Sequence, residues 1–387
     1  MQRTIYIRYE EKNMDNLQWL IENGGAAIKL RMIDEGLLDK KNYNVNELAN
    51  ELLQIEKVKT ALTYFDPFAY NHPLNELWIM IHNYEEYRFE NFIRFFIAYG
   101  FRKGISAFDD KIEYMRQTYV ILMDALHGGE RTVIKNLLQA GYYYDDMEKC
   151  AVTRLDKIHK ITEMQAFDFY EEDITKIRNP NNPAWKDKLI VKDKYNPYEY
   201  NPDSGIGEFP LPLSHDIELL LSIYKYIKDG KIKNRIDDMI EYILDPRYQT
   251  ANGREVWHWS PVKKVYHAGG EGLSLPIFDS IETGIENYNA LHTIDMMSRS
   301  PVVLKSNWFE KVMNYLEKYR TGQGTYLFPE SCMFNITFRP SNSTTLCSAF
   351  ISKDILPNVK RNKRKSFAFE LFSTFFMSML KKRLKCS

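Results

Sequence analysis

Cysteine is scarce in this chain. Its 387 residues hold four, Cys150, Cys332, Cys347 and Cys386, too few and too scattered for a disulfide framework. No Cys-x-x-Cys pair and no Cys/His cluster with zinc spacing occurs, so no metal site is expected on that ground. Free thiols fit a reducing, cytoplasmic setting. An excess of charge of either sign is also missing: Lys and Arg number 52, and Asp and Glu number 52. That balance argues against a nucleic-acid partner, which usually shows as a basic face. No run reaches the roughly 18 to 20 apolar residues that a membrane span requires. The first residues, Met1-Gln2-Arg3-Thr4-Ile5-Tyr6-Ile7-Arg8, carry charge where a secretory leader would be apolar. Strand-type alternation is sparse, with Thr4–Arg8 and Met333–Phe338 the short candidates. Neither a Gly-x-Ser-x-Gly elbow nor a Walker loop is present.

Apolar residues are plentiful. At 44% of the chain they suffice for a sizeable core and exclude disorder for most of it. They recur at helical spacing, as Leu48, Leu52, Ile55 and Leu62 do across one stripe. Similar stripes predict helices over 74–87, 89–99, 112–126, 133–139, 147–163, 216–227, 233–244, 289–297, 308–319 and 366–384. Ser214 or His215 and Asn307 are the expected caps of two of them. The fold class expected is therefore all-α. The texture breaks between Arg178 and Leu213, where Pro180, Pro183, Pro197, Pro202, Pro210 and Pro212 remove backbone donors and disfavour helix. Residues 179–213 are thus expected as a loop or linker between helical halves at 1–178 and 214–387. Residues 250–285 form a second stretch, rich in Gly and aromatics and expected as an ordered irregular loop.

The helices come in pairs that end in polar, Gly-containing turns. Residues 218–227 and 235–244 are followed by Gln249-Thr250-Ala251-Asn252-Gly253, and residues 289–297 and 308–316 by Arg320-Thr321-Gly322-Gln323-Gly324-Thr325-Tyr326. Such hairpins cannot bury their apolar faces alone and must stack on neighbours. In these features the chain resembles the terpenoid cyclase and prenyltransferase superfamily, whose repeat ends in Gln, three residues, Gly, one residue and an aromatic. Gln249 and Gly253 match, with Glu255 in the aromatic place; Gly324 and Tyr326 match, with Arg320 in place of Gln. The resemblance is clearest over 214–329 and 366–384. It implies an α/α-toroid of helical hairpins with long irregular loops, the two halves closing one ring around a cavity.

The chemistry that the resemblance brings is not legible residue by residue. The acidic run of the protonating cyclases finds only Arg235-Ile236-Asp237-Asp238, with Arg in the first acid's place, so a solvated helix face is expected there. Asp109-Asp110-Lys111-Ile112-Glu113 has the spacing of a magnesium-diphosphate motif. It also reads as a helix start with acids in the first turn, as does Asp145-Asp146-Met147-Glu148. The prenyltransferase zinc set has no counterpart, so no cofactor is assigned.

The candidate site is Trp257-His258-Trp259 with Tyr266-His267-Ala268-Gly269-Gly270-Glu271-Gly272. His258, His267 and Glu271 are the candidate proton-transfer groups. Trp257, Trp259 and Tyr266, with Asp279 and His292, are the candidate ligand contacts. The competing reading makes this loop a packed plug. The function expected is an aromatic-lined cavity for a small apolar or aromatic ligand, with cyclase, lyase and transferase chemistry and plain binding all open. The alternatives are a non-catalytic helical-repeat scaffold for a protein partner and a carbohydrate-active α/α barrel. Finally, Lys353 to Lys385 holds ten basic and two acidic residues around the apolar run 367–380. This segment reads either as a membrane-surface helix or as a terminal core helix.

Overall fold

The computed structural model describes residues 16–64, 85–118, 131–168, 170–171, 189–192, 211–251, 256–260, 265–270, 272–276, 290–333 and 343–386. Helix dominates, as the apolar spacing requires. The chain divides into two compact units, one of residues Met1–Tyr143 with Pro276–Ser387 and one of Tyr144–Leu275. That division differs from the expected one at the proline-rich stretch. Asp145–Met164, which precedes the prolines, packs on Ser214–Ile223 and Gly230–Leu244, which follow them.

In the first unit, Ala26–Asp34 packs on Val45–Leu53, and Glu85–Ala98 on Arg131–Gln139. Ser343–Phe350 and the last helix, Arg364–Cys386, pack on each other and on Ala26–Asp34, so the two ends of the chain meet. Close approach there needs glycine: a Cβ on Gly25 would stand 2.6 Å from the Ala349 carbonyl oxygen. Gly100 has φ +86° and would place a Cβ 2.7 Å from that of Leu30, so it both ends its helix and admits its neighbour. The helix expected through Leu48, Leu52, Ile55 and Leu62 breaks into Val45–Leu53 and Glu56–Thr63, with the Asn44 carboxamide capping the first. Ser306, one residue before the expected cap, accepts from the Phe309 N–H.

The last helix settles the choice posed by its sequence. Residues 368 and 369, and every residue from 371 to 381, are buried, so its apolar faces are already covered by protein. No helix among the described residues is long and apolar enough to cross a membrane. Ser373 and Thr374 accept hydrogen bonds from the backbone N–H groups of Phe328 and Tyr326, both at 3.0 Å. Lys381, also buried, reaches the Tyr326 hydroxyl and the Glu317 carboxylate, each at 2.6 Å. These bonds satisfy polar groups that burial would otherwise penalise.

The second unit is built on the Asp145–Met164 helix. Its Arg154 forks onto Asp216 at 2.8 and 2.7 Å, and both side chains are buried. Asp216 also accepts from the Leu213 N–H, which holds the start of Ser214–Ile223. Within the stretch expected as irregular loop, residues 256–260 and 265–270 instead form a pair of antiparallel strands. It belongs to a four-stranded sheet, β1 (Tyr170–Glu171), β2 (Leu189–Val191), β3 (Val256–Ser260) and β4 (Val265–Gly270), in that order. The β1/β2 and β3/β4 pairs are antiparallel and β2/β3 is parallel. The physical reason is plain: Val256-Trp257-His258-Trp259 and Val265-Tyr266 are runs of β-branched and aromatic residues. Of the two strands expected, Thr4–Arg8 lies outside the described residues. Met333 ends a 3₁₀ turn, Glu330–Met333, and 334–338 lie outside the described residues.

Candidate functional site

The hairpin register pairs Trp257 with Ala268, His258 with His267 and Trp259 with Tyr266. Period-two alternation therefore puts Trp257, Trp259 and Tyr266 on one face and the two histidines on the other. Glu271 and Asp279 lie outside the described residues. His292 belongs to the first unit, on the helix Ala290–Met297, and is half-buried beside Asp295. The expected set is thus spread over two units.

Asp295 centres an ion-pair network in the first unit. It meets Arg299 at 3.1 Å and Arg383 at 2.9 Å, and Arg383 also grips Glu35 at 2.6 Å. Burial pushes the Asp295 carboxyl up, but Arg299, Arg383 and Arg31 together outweigh it and hold the group well below the usual carboxylate range. Arg31 lies 5.2 and 4.8 Å from the ring centroids of Phe372 and Phe375, and burial lowers its pKa to about 10. The network ties the last helix to Ala26–Asp34 and Ala290–Met297, which is a structural task.

The spacing of the acidic runs resolves likewise. The helix there starts at Ser106, three residues before the expected Asp109, which sits in its first turn and accepts from the Gly104 N–H and, at 2.6 Å, from the Tyr142 hydroxyl. Asp145 and Asp146 open the Asp145–Met164 helix. Of the expected solvated face, Arg235 pairs with Asp156 at 2.7 Å. Asp237, however, is part-buried and accepts from the Tyr224 hydroxyl at 2.9 Å. The repeat-turn residues also have structural partners. Gln249 donates to the Ile243 carbonyl and accepts from the Leu275 N–H, and Gly324 has φ +91°.

One cleft was not foreseen. In the second unit a cavity of about 390 Å³ opens between the Asp145–Met164 and Gly230–Leu244 helices. Its lining includes His159, Thr162, Gln165 and Tyr242 together with the acids Glu163, Asp238, Glu241 and Asp245. The His159 side chain is only 8% exposed. Its Nδ1 lies 3.4 Å from Glu163 Oε1 and its Nε2 3.5 Å from Asp238 Oδ2. Nε2 makes no hydrogen bond among the described residues, and neither does the buried Thr162 hydroxyl one turn on. A buried hydroxyl without a hydrogen bond is uncommon and costly, whereas the His159 ring is flanked by two carboxylates. At the rim, Arg247 bonds Asp245 and holds that carboxyl below its usual range. The Arg247 guanidinium lies 4.2 Å over the Phe167 ring, which stacks on Tyr242 at 5.0 Å. The Tyr242 hydroxyl donates to the Ala166 carbonyl and so fixes the ring. His159, Thr162 and Glu163 stand at i, i+3 and i+4, the one local sign of a shared face; Asp238 comes from a distant helix.

Among the described residues, no group of three or more His, Cys, Asp or Glu converges to hold a metal ion. Comparison of the chain with protein-family models, curated proteins and solved structures finds no match.

Proposed function

We propose that this protein is a helical small-molecule-binding protein whose ligand sits in the His159 cleft of its second unit. The observation that carries the reading is a 390 Å³ cavity whose lining includes the buried His159 imidazole, set between the Glu163 and Asp238 carboxylates at 3.4 and 3.5 Å. The volume lies within the range of ligand pockets. Architecturally the reading keeps the α/α-toroid of the terpenoid cyclase and prenyltransferase superfamily. It draws support from the paired helices, from Gln249 and Gly324 in their turns, and from the last helix packing on Ala26–Asp34. A cytoplasmic location goes with it, supported by four free cysteines. A protein-binding scaffold would leave a contiguous apolar patch. The large apolar side chains exposed among the described residues, Tyr64, Tyr114, Met164 and Leu327, are scattered along the chain.

A second reading seats an apolar or aromatic ligand on the hairpin. It rests on the register that puts Trp257, Trp259 and Tyr266 on one face.

The test is native mass spectrometry of the purified chain, together with histidine-ring NMR during titration with small polar fragments. A retained species or a fragment should shift the His159 resonance, and His159→Phe, which fills the cleft, should abolish both effects at unchanged circular dichroism. Undiminished retention in His159→Phe rejects the cleft, and loss in Trp257→Ala alone moves the site to the hairpin.

A further inference from the structure

We infer that the approach to the last helix, residues 353–367, docks on an anionic lipid bilayer, with Lys360, Arg361 and Lys363 on the headgroups and the Trp19–Phe367 ring pair at the interface. The last helix is core, but the segment leading into it is not. Five of the six residues from Lys360 to Lys365 are Lys or Arg and none is acidic. Lys365 pairs with Glu330, and Arg364 donates its Nε–H to the Val359 carbonyl at 3.1 Å. Lys360, Arg361 and Lys363 are exposed and have no ion-pair partner among the described residues. Arg361–Lys363 is a 3₁₀ turn, closed by the Lys363 N–H on the Lys360 carbonyl at 2.8 Å. Three residues per turn stack Lys363 over Lys360. The turn runs straight into the positive end of the Arg364–Cys386 helix, whose first turn holds no acid. Like charges crowded there cost the fold stability and gain nothing inside it, whereas an external anionic surface converts the crowding into attraction.

Apolar side chains beside the cations select the kind of anion. Ile355, Leu356 and Val359 are only half-buried, and Pro357 is exposed. Phe367 stands one turn after Arg364 on the same helix face, and the Arg364 bond holds Val359 beside that turn. The Phe367 ring meets Trp19 edge-on, with centroids 5.8 Å apart and planes at 71°, and both side chains are half-buried. A Trp side chain, apolar in body and polar at one edge, suits the headgroup level of a bilayer. A nucleic acid would instead use open ring faces on which bases stack, and the aliphatic side chains offer it nothing. Cations joined to apolar groups supply the two signals that stable attachment takes.

The test is flotation of the full chain at low salt with vesicles of phosphatidylcholine alone and of phosphatidylcholine with about one-third phosphatidylserine. The chain should float with the anionic vesicles, stay behind with the neutral ones, and be released by salt. Lys360→Gln/Arg361→Gln/Lys363→Gln changes three exposed side chains, so circular dichroism should stay as it was. It should weaken binding about a hundredfold, the combined effect of three surface cations. Lipids brominated near the headgroup should quench tryptophan fluorescence, and Trp19→Phe should remove most of that quenching. No flotation with the anionic vesicles overturns the inference, as does equal flotation of the triple variant. Quenching undiminished in Trp19→Phe places the membrane face elsewhere and overturns it too. Tighter binding of a duplex oligonucleotide than of the anionic vesicles, lost in the triple variant, also overturns it and assigns the patch to nucleic acid.

Discussion

At the scale of single residues, the same charged run carries opposite roles on adjacent positions. Asp238 stands at the cleft, mostly exposed, while Asp237 turns inward to the Tyr224 hydroxyl, and its Oδ1 finds no partner among the described residues. Burial is the main cause that pushes the Asp237 carboxyl above its usual range, against the pull of the Tyr224 bond. Burial, aided by the same bond, raises Tyr224 to about 12. A raised carboxyl pKa means the folded chain holds the proton more tightly than the unfolded one. The charge therefore costs stability above the folded-state pKa, and that cost fades as pH falls through it. Asp237→Asn keeps an acceptor for Tyr224 and removes the charge. It should raise stability at pH 7 by about 0.5 kcal/mol, a value discounted for solvent screening at a part-exposed site. Thermal melts of the two proteins should converge as pH falls below the ordinary aspartate value of about 3.9, where the carboxyl is protonated in both folded and unfolded chains. A gain that persists in acid would mean that charge burial is not the cause.

Asp295 has the opposite sign. Its cations hold its pKa down, so its contribution is complete above the unfolded-state value and is lost as pH falls toward the folded one. Asp295→Asn leaves Arg383 and Arg299 facing a neutral group. It should cost roughly 2–3 kcal/mol, below the value for a fully buried pair because the Asp295 side chain is 24% exposed. Urea titrations should show the loss at pH 7 and little of it in strong acid; an unchanged midpoint at pH 7 would reduce the network to decoration.

At the scale of elements, the last helix shows what sequence patterning can carry. Its apolar residues occur nearly all round, which separates a buried helix from an interfacial one, and its burial from 371 to 381 is the consequence. What patterning does not carry is the polar work of Ser373 and Thr374, whose partners, Phe328 and Tyr326, lie 45 and 48 positions away. Thr374→Val preserves shape and leaves the buried Tyr326 N–H unpaired. It should lower the urea midpoint by an amount equivalent to about 1–2 kcal/mol at constant slope. A shift no larger than that of an exposed control would show the N–H to be bonded elsewhere.

Helix positions were legible because the 3.6-residue stripe is local, but starts moved by one to six residues, the most at Ser106 against an expected 112, because caps depend on backbone geometry. The hairpin was misread because Trp-His-Trp alternates aromatic with aromatic, so the usual apolar/polar signal of a half-buried strand is absent. His159 was passed over for another reason: inside a helix, a lone histidine on an apolar stripe looks like core. Only Asp238, brought alongside by the pairing of two helices, makes it a candidate.

At the scale of the whole molecule, the two units differ in how much chain must be gathered before contacts form. The second is contiguous, and its buried Arg154–Asp216 pair spans 62 positions. The first is drawn from both ends of the chain, and its Arg383–Glu35 pair spans 348. Loop-closure entropy grows as (3/2)RT ln n, so the longer closure costs about 1.5 kcal/mol more, roughly a tenfold penalty on the rate of meeting. Pulse-labelled hydrogen exchange during refolding from urea should therefore protect the amides of Asp145–Met164 and Ser214–Ile223 before those of Ala26–Asp34 and Arg364–Cys386. The reverse order, or simultaneous protection, would mean that closure of the chain ends is not the slow event. Substituting Arg383→Ala should then slow the late phase and leave the early one as it was, because only the late phase builds the contact that the substitution removes.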